Sequence, residues 1–184
     1  VTGPATFDAP PVVHELADLF AGVWQLGYVA HDLDAAMALA RDELGFTRVV
    51  EVPTDTATVL DADGRVVPWE TRIAMAGRGG LIAEIIEPVG GDVDDYRRFL
   101  PPEGEPGLRL HHLATQIPLG DDAWESVGAV LARAGLRFDR TVLIPDRVRA
   151  GYVDTTARFG HWLEICQLQA ADVAFFSELV EPAA

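Results

Sequence analysis

Apolar positions along this chain follow two spacings, and the spacings recur in the same order twice. Short apolar runs of strand length occupy residues 23–30, 48–53, 66–76 and 81–88. Between the first two, Ala36, Leu39, Ala40 and Leu44 recur at helical spacing, with Asp32 or Asp34 placed to cap the helix and Gly45 to stop it. Asp63-Gly64, flanked by 58–60 and 65–67, and Gly77-Arg78-Gly79-Gly80 read as hairpin turns. The second half repeats this plan. A strand at 108–117 leads through Gly120-Asp121-Asp122 into a helix bearing Val127, Val130 and Leu131, which Ala134-Gly135 ends. Strands at 136–143 and 149–154 and a hairpin at 156–160 then lead into a last strand at 161–168. The pattern predicts an α+β protein of two tandem βαβββ modules, too few for a solenoid array. An N-terminal arm spans residues 1–22, the modules 23–89 and 108–169, and a C-terminal segment 170–184. The linker at 90–107 is rich in Gly, Pro and Asp and holds a turn of helix at 94–100.

In each half, a polar side chain able to bind a metal interrupts the first strand, Gln25 in one and His112 in the other. The last strand of each half carries a mid-strand carboxylate, Glu84 and Glu164. Strand side chains alternate between faces, so Gln25 goes with Gly27 and Val29, His112 with Leu110 and Ala114, Glu84 with Ile82 and Ile86, and Glu164 with Trp162 and Cys166. If the curved mixed sheets turn these faces inward, the four groups meet in one metal-binding pocket. Singly, each of these residues is more often a solvent-facing or hydrogen-bonded side chain, and it is their matching places in the repeat that mark them. Parity alone does not choose between His111 and His112. Glu87 competes with Glu84 but falls on the opposite face with Ala83 and Ile85.

Composition narrows the chemistry. The 184 residues carry a net charge of −15, with no basic patch, which argues against nucleic acid and anionic membranes as partners. No apolar run approaches membrane-spanning length and the first 22 residues lack a signal-peptide pattern, so a cytoplasmic protein is expected. All 14 basic residues are Arg, which removes lysine Schiff-base and P-loop chemistry. A single Cys, Cys166, removes intrachain disulfides and thiolate zinc clusters. Neither Ser126 nor Ser177 sits in a G-x-S-x-G motif. His, Glu, Asp, Tyr and Arg remain for metal-assisted or acid–base work.

The segments WQLGYVAHDLDAAM, LIAEIIEP, GLRLHHLATQI and GYVDTTARFGHWLEI together resemble the vicinal oxygen chelate superfamily, over residues 23–168. That superfamily includes glyoxalase I, methylmalonyl-CoA epimerase, extradiol dioxygenases and bleomycin-resistance proteins, and the epimerase branch is the most similar. The resemblance implies two βαβββ modules around one divalent ion (zinc, nickel, cobalt, manganese or iron) held by Gln25, Glu84, His112 and Glu164. It is also what selects His112 over His111. Where the epimerase branch usually has His, this chain has Gln25; iron-dependent extradiol dioxygenases use two His and one Glu, and Gln25 in place of one of those His makes that chemistry a poor fit as well. Glu70 is the approximate match for that branch's catalytic carboxylate.

The expected activity is metal-dependent proton abstraction next to a carbonyl, as in an isomerase, an epimerase or a glyoxalase-type lyase, with Glu164 or Glu84 as general base. Trp162, Ile82, Ile86 and Leu110 are expected to wall the pocket, with Tyr152 and Arg149 orienting a small-molecule substrate. Arg97, Arg98 and Arg147 read equally well as surface charges. The alternative is a drug-sequestering protein that binds without turnover. A homodimer is implied by the resemblance, with weak support from the apolar segments 14–20 and 174–180, which read equally well as packing on their own chain.

Overall fold

A computed structural model of the protein describes residues 10–180, so residues 1–9 of the arm expected at 1–22 lie outside them. The first module runs β1 (Val23–Val29), α2 (Leu33–Asp42), β2 (Arg48–Val52), β3 (Thr58–Asp61), β4 (Val66–Val67), β5 (Trp69–Arg78) and β6 (Leu81–Gly91), preceded by α1 (Leu16–Ala21). A one-turn helix, α3 (Asp94–Arg97), interrupts the linker. The second module runs β7 (Arg109–Gln116), α4 (Asp121–Arg133), β8 (Arg140–Ile144), β9 (Val148–Val153), α5 (Thr156–Phe159) and β10 (Trp162–Leu168), followed by α6 (Ala170–Val180).

Among the described residues, ten strands join one mixed sheet in the order β2-β5-β6-β1-β7-β10-β9-β8-β3-β4. Within each module the first and last strands pair in parallel, β1 with β6 and β7 with β10. The modules join through the antiparallel pair β1–β7. Gln25 and His112 therefore lie on adjacent central strands, with Glu84 and Glu164 on the strands flanking them. This register, rather than any local motif, brings four distant residues together.

The helices sit where their apolar stripes predict. Asp32 caps α2 by accepting a hydrogen bond from the Ala35 N–H at 2.9 Å, and Gly45 ends the helix with φ near 68°. Leu33, Ala36 and Ala40 then pack on Ala74, Ala83 and Ile85 of β5 and β6. On the other module, Val127, Val130 and Leu131 of α4 pack on Leu163 and Ile165. Burial of each such large aliphatic side chain contributes about 1.5–3 kcal/mol. A third apolar cluster spans the modules on the inner face and includes Trp24, Ile82, Tyr152, Trp162 and Phe176.

Three expectations change. The hairpin expected at 156–160 is instead a short helix, α5, ended by Gly160 with φ near 81°. The run at 66–76 is broken at Pro68, which donates no ladder hydrogen bond, so β4 and β5 are separate strands. The hairpin β3–β4 leaves its own module and pairs with β8 of the other. Of the two readings open for segments 14–20 and 174–180, packing on their own chain is the one observed: Leu19 of α1 is fully buried beside α4, and Phe176 and Leu179 of α6 enter the inner core. At Gly77 the α6 backbone comes so close that an added Cβ would lie 2.1 Å from the Leu179 carbonyl oxygen.

Candidate metal centre and cavity

Glu84, His112 and Glu164 converge with their ligand atoms all within 4.8 Å of one another, and all three are buried. His112 Nε2 lies 3.1 Å from Glu84 Oε2 and 3.1 Å from Glu164 Oε2. It sits between the two carboxylates, aligned with neither as a hydrogen bond. Gln25 completes the ring, its Nε2 donating long contacts of 3.4 and 3.5 Å to the same two oxygens. A half-turn of the amide would present Oε1 at that place instead.

Close approach of the backbone makes room for the imidazole. A Cβ at Gly27 would lie 1.9 Å from His112 Cε1, so the β1 position facing His112 must lack a side chain. The other imidazole nitrogen is also engaged: His112 Nδ1 lies 3.0 Å from His111 Nδ1. One of two facing ring nitrogens must carry the proton. If His112 directs its Nε2 lone pair at an ion, its Nδ1–H donates and His111 accepts. His111 is held for this by Trp162, stacked at 5.8 Å, and by Tyr96 and Phe99 at 4.6 and 5.0 Å.

Electrostatics follow from burial. Desolvation pushes the Glu84 carboxyl up, and the nearby Glu164 charge adds to the rise against the lowering pull of His112. Desolvation would depress His112, but the two carboxylates outweigh it and raise its pKa to about 9. His111, buried beside His112, is held well below the ordinary value, first by desolvation and then by its neighbour. Burial raises the Cys166 thiol well above its ordinary value, which keeps it a poor nucleophile.

A donor set of two carboxylates, an imidazole and an amide, with one imidazole nitrogen unpaired between the carboxylates, fits a divalent cation. The groups open onto a cavity of about 90 Å³ whose walls include Trp24, Trp69, Met75, Tyr152 and Phe176. Its rim is formed by the segment 52–54 and by Ile144 and Val148.

Tyr152 lines this cavity with its ring 5.4 Å from His112, but the other expected wall residues fare differently. Ile82 and Ile86 are fully buried and Trp162 nearly so, packed behind the lining rather than in it. Leu110 is 39% exposed. A register irregularity between Gly27 and Tyr28, where β1 faces His112 and then Leu110, leaves His111 unpaired. His111 thus turns toward Trp162 and His112 instead of the opposite face. Arg149 stacks on Trp124, 4.0 Å from its ring centre, and pairs with Asp121 at 2.9 Å, outside the cavity lining. Glu70 is exposed and also absent from the lining. Trp24 joins Gln25 on the cavity side at a second register shift between Val23 and Gln25. Sequence reasoning missed Trp24, Trp69, Met75 and Phe176 as lining residues. The alternation of β5 held the signal for Trp69, Ile73 and Met75.

No protein-family model matches the sequence, and no curated protein matches it significantly. Solved structures do match. Methylmalonyl-CoA epimerase from Mycobacterium tuberculosis aligns with TM-score 0.54 at 18% identity, over 83% of this chain and 91% of that one. A hypothetical protein from Bacillus halodurans gives 0.54 at 13% identity, over 80% and 94%. Streptomyces coelicolor methylmalonyl-CoA epimerase, solved in complex with 2-nitronate-propionyl-CoA, gives 0.53 at 19% identity, over 80% and 97%. This chain has the vicinal oxygen chelate fold. In that fold each module supplies two of the four converging groups here, Gln25 and Glu84 from the first, His112 and Glu164 from the second. The fold hosts several chemistries, so the groups at the site carry the functional reading.

Proposed function

We propose that this protein is a divalent-metal-dependent enzyme that abstracts a proton next to a carbonyl, as an isomerase, an epimerase or a glyoxalase-type lyase. The observation that carries this reading is the buried ring of Glu84, His112, Glu164 and Gln25 facing an apolar cavity. Gln25, Glu84, His112 and Glu164 would hold the ion. When bound, the ion would supply Lewis acidity, stabilising negative charge that develops on the substrate carbonyl oxygen. Glu164 serves as the general base, taking the proton from the carbon beside the carbonyl. Glu84, reached from the other module, is the second carboxylate able to return a proton. Tyr152, Trp24 and Phe176 exclude water from the reacting carbon. The epimerases of similar fold act on a small-molecule thioester, and their complexes support a small-molecule substrate.

A direct test is deuterium incorporation next to the carbonyl, followed by NMR in D₂O with metal-loaded protein and a panel of α-hydroxyketones and thioesters. Exchange that falls about 100-fold or more in Glu164→Gln, with metal retained, supports general-base catalysis. Compounds that bind without exchange in either protein support the sequestering reading, which the apolar lining also favours.

A further inference from the structure

The charge around the cavity says what it accepts. None of the cavity-lining residues is Arg or Lys. All 14 Arg and all five His of the chain fall within residues 10–180, so the remaining residues add no basic side chain. Two arginines flank the rim residue Val148, and both are committed elsewhere, Arg147 to Asp172 through contacts of 2.8 and 2.5 Å and Arg149 to Asp121 at 2.9 Å. Arg140 is buried against Asp95 at 2.5 Å, outside the lining. At the centre, two carboxylates balance a divalent ion, leaving the loaded site near neutrality. A further anion entering this enclosure would give up its hydration and meet no compensating cation, a costly burial.

We propose that the cavity takes a neutral, apolar carbonyl compound and rejects its carboxylate counterpart. This rests on the metal reading above for the carbonyl, and on the cavity lining alone for the preference of neutral over anionic. It separates this chain from the epimerases whose fold it shares, because methylmalonyl-CoA carries a free carboxylate as well as phosphates. The walls supply what an apolar substituent needs: Trp24, Trp69 and Phe176 offer aromatic surface, and Met75 and Ile73 fill between them.

The test uses a matched pair, 2-hydroxyacetophenone and mandelate, titrated into zinc-loaded protein by calorimetry. The two share a phenyl ring and adjacent oxygens and differ by the carboxylate. In water mandelate is the better chelator of zinc, so a reversed order reports the cavity. The expected result is binding of 2-hydroxyacetophenone roughly 100-fold tighter than mandelate, the scale set by burying an unpaired charge. Ile144→Arg, which places a cation at the half-exposed rim, is expected to narrow or invert that ratio. Tighter binding of mandelate to the unaltered protein, or no binding of the neutral compound, overturns the proposal. If the protein retains no zinc, the metal reading falls by itself. The same pair titrated into metal-free protein still decides the substrate class, neutral over anionic supporting it and the reverse defeating it.

Discussion

The first strands of the two modules each place a polar group at the site, and they hold it very differently. His112 on β7 is fully buried, contacted at Nδ1 by His111 and flanked by Tyr152, with space cleared by Gly27. Gln25 on β1 is buried too, but its amide reaches the carboxylates only through contacts of 3.4 and 3.5 Å. The modules therefore share a backbone plan without sharing a division of labour. The second provides a fixed, charge-responsive nitrogen, and the first provides a neutral group with freedom to turn. Duplication sets where groups sit, and the packing around each decides what it can do.

The sharpest way to break this asymmetry is Gly27→Ala. The new methyl would fall 1.9 Å from the His112 ring, which must leave its place. Because Gly27 is not in the left-handed region, alanine adds no backbone strain. Metal affinity should fall more than about 100-fold, as if the imidazole itself were lost, while the circular dichroism spectrum stays native. Next in size is His111→Phe, which keeps the ring stack on Trp162 and removes the acceptor for His112. A loss of metal affinity of roughly 10–100-fold is expected, typical for a partner that orients a ligand. Gln25→Ala should cost less, about tenfold, because a neutral oxygen donor is the weakest of the four groups. An equal or greater loss than for His111→Phe would remove the claimed difference between the modules.

Acidity sharpens the same contrast. His112 in the metal-free protein stays protonated up to about pH 9, against an ordinary value of 6.5. Its ion pairing therefore stabilises the metal-free fold fully below pH 6.5, and that contribution fades as pH rises through about 9. Metal must displace this proton, so affinity measured by calorimetry should fall about tenfold for each pH unit below that range. Gln25 adds no such slope. At the small end, Glu70→Gln should leave metal binding unchanged and shift stability by less than about 0.5 kcal/mol, since the side chain is exposed and away from the cavity.

Much of this arrangement was legible in the sequence because it rests on local signals. The Asp32 cap, the Gly45 and Gly135 stops and the twofold recurrence of strand and helix patterns foretell both modules. The matching interruptions at Gln25 and His112, and at Glu84 and Glu164, foretell which residues converge. Strand parity failed where the ladder is irregular. The register shift beside Gly27 turns His111 inward next to His112, and alternation cannot register a residue left unpaired. Long-range pairing was equally silent. Nothing local in residues 58–67 shows that this hairpin crosses to β8, nor that α6 swings Phe176 into the cavity wall. Arg149 read as a substrate-orienting residue from its neighbour Tyr152. In the fold it faces Trp124 and Asp121 instead, a destination set by where α4 packs.

Metal content tests the central claim most directly. Mass spectrometry on untagged protein, beside His112→Ala, should find about one divalent ion per chain in the first and none in the second, as four-ligand coordination requires. If the unaltered protein holds no metal after incubation with zinc, nickel, cobalt and manganese, the four converging groups are not a metal centre. The cavity would then be a binding site alone.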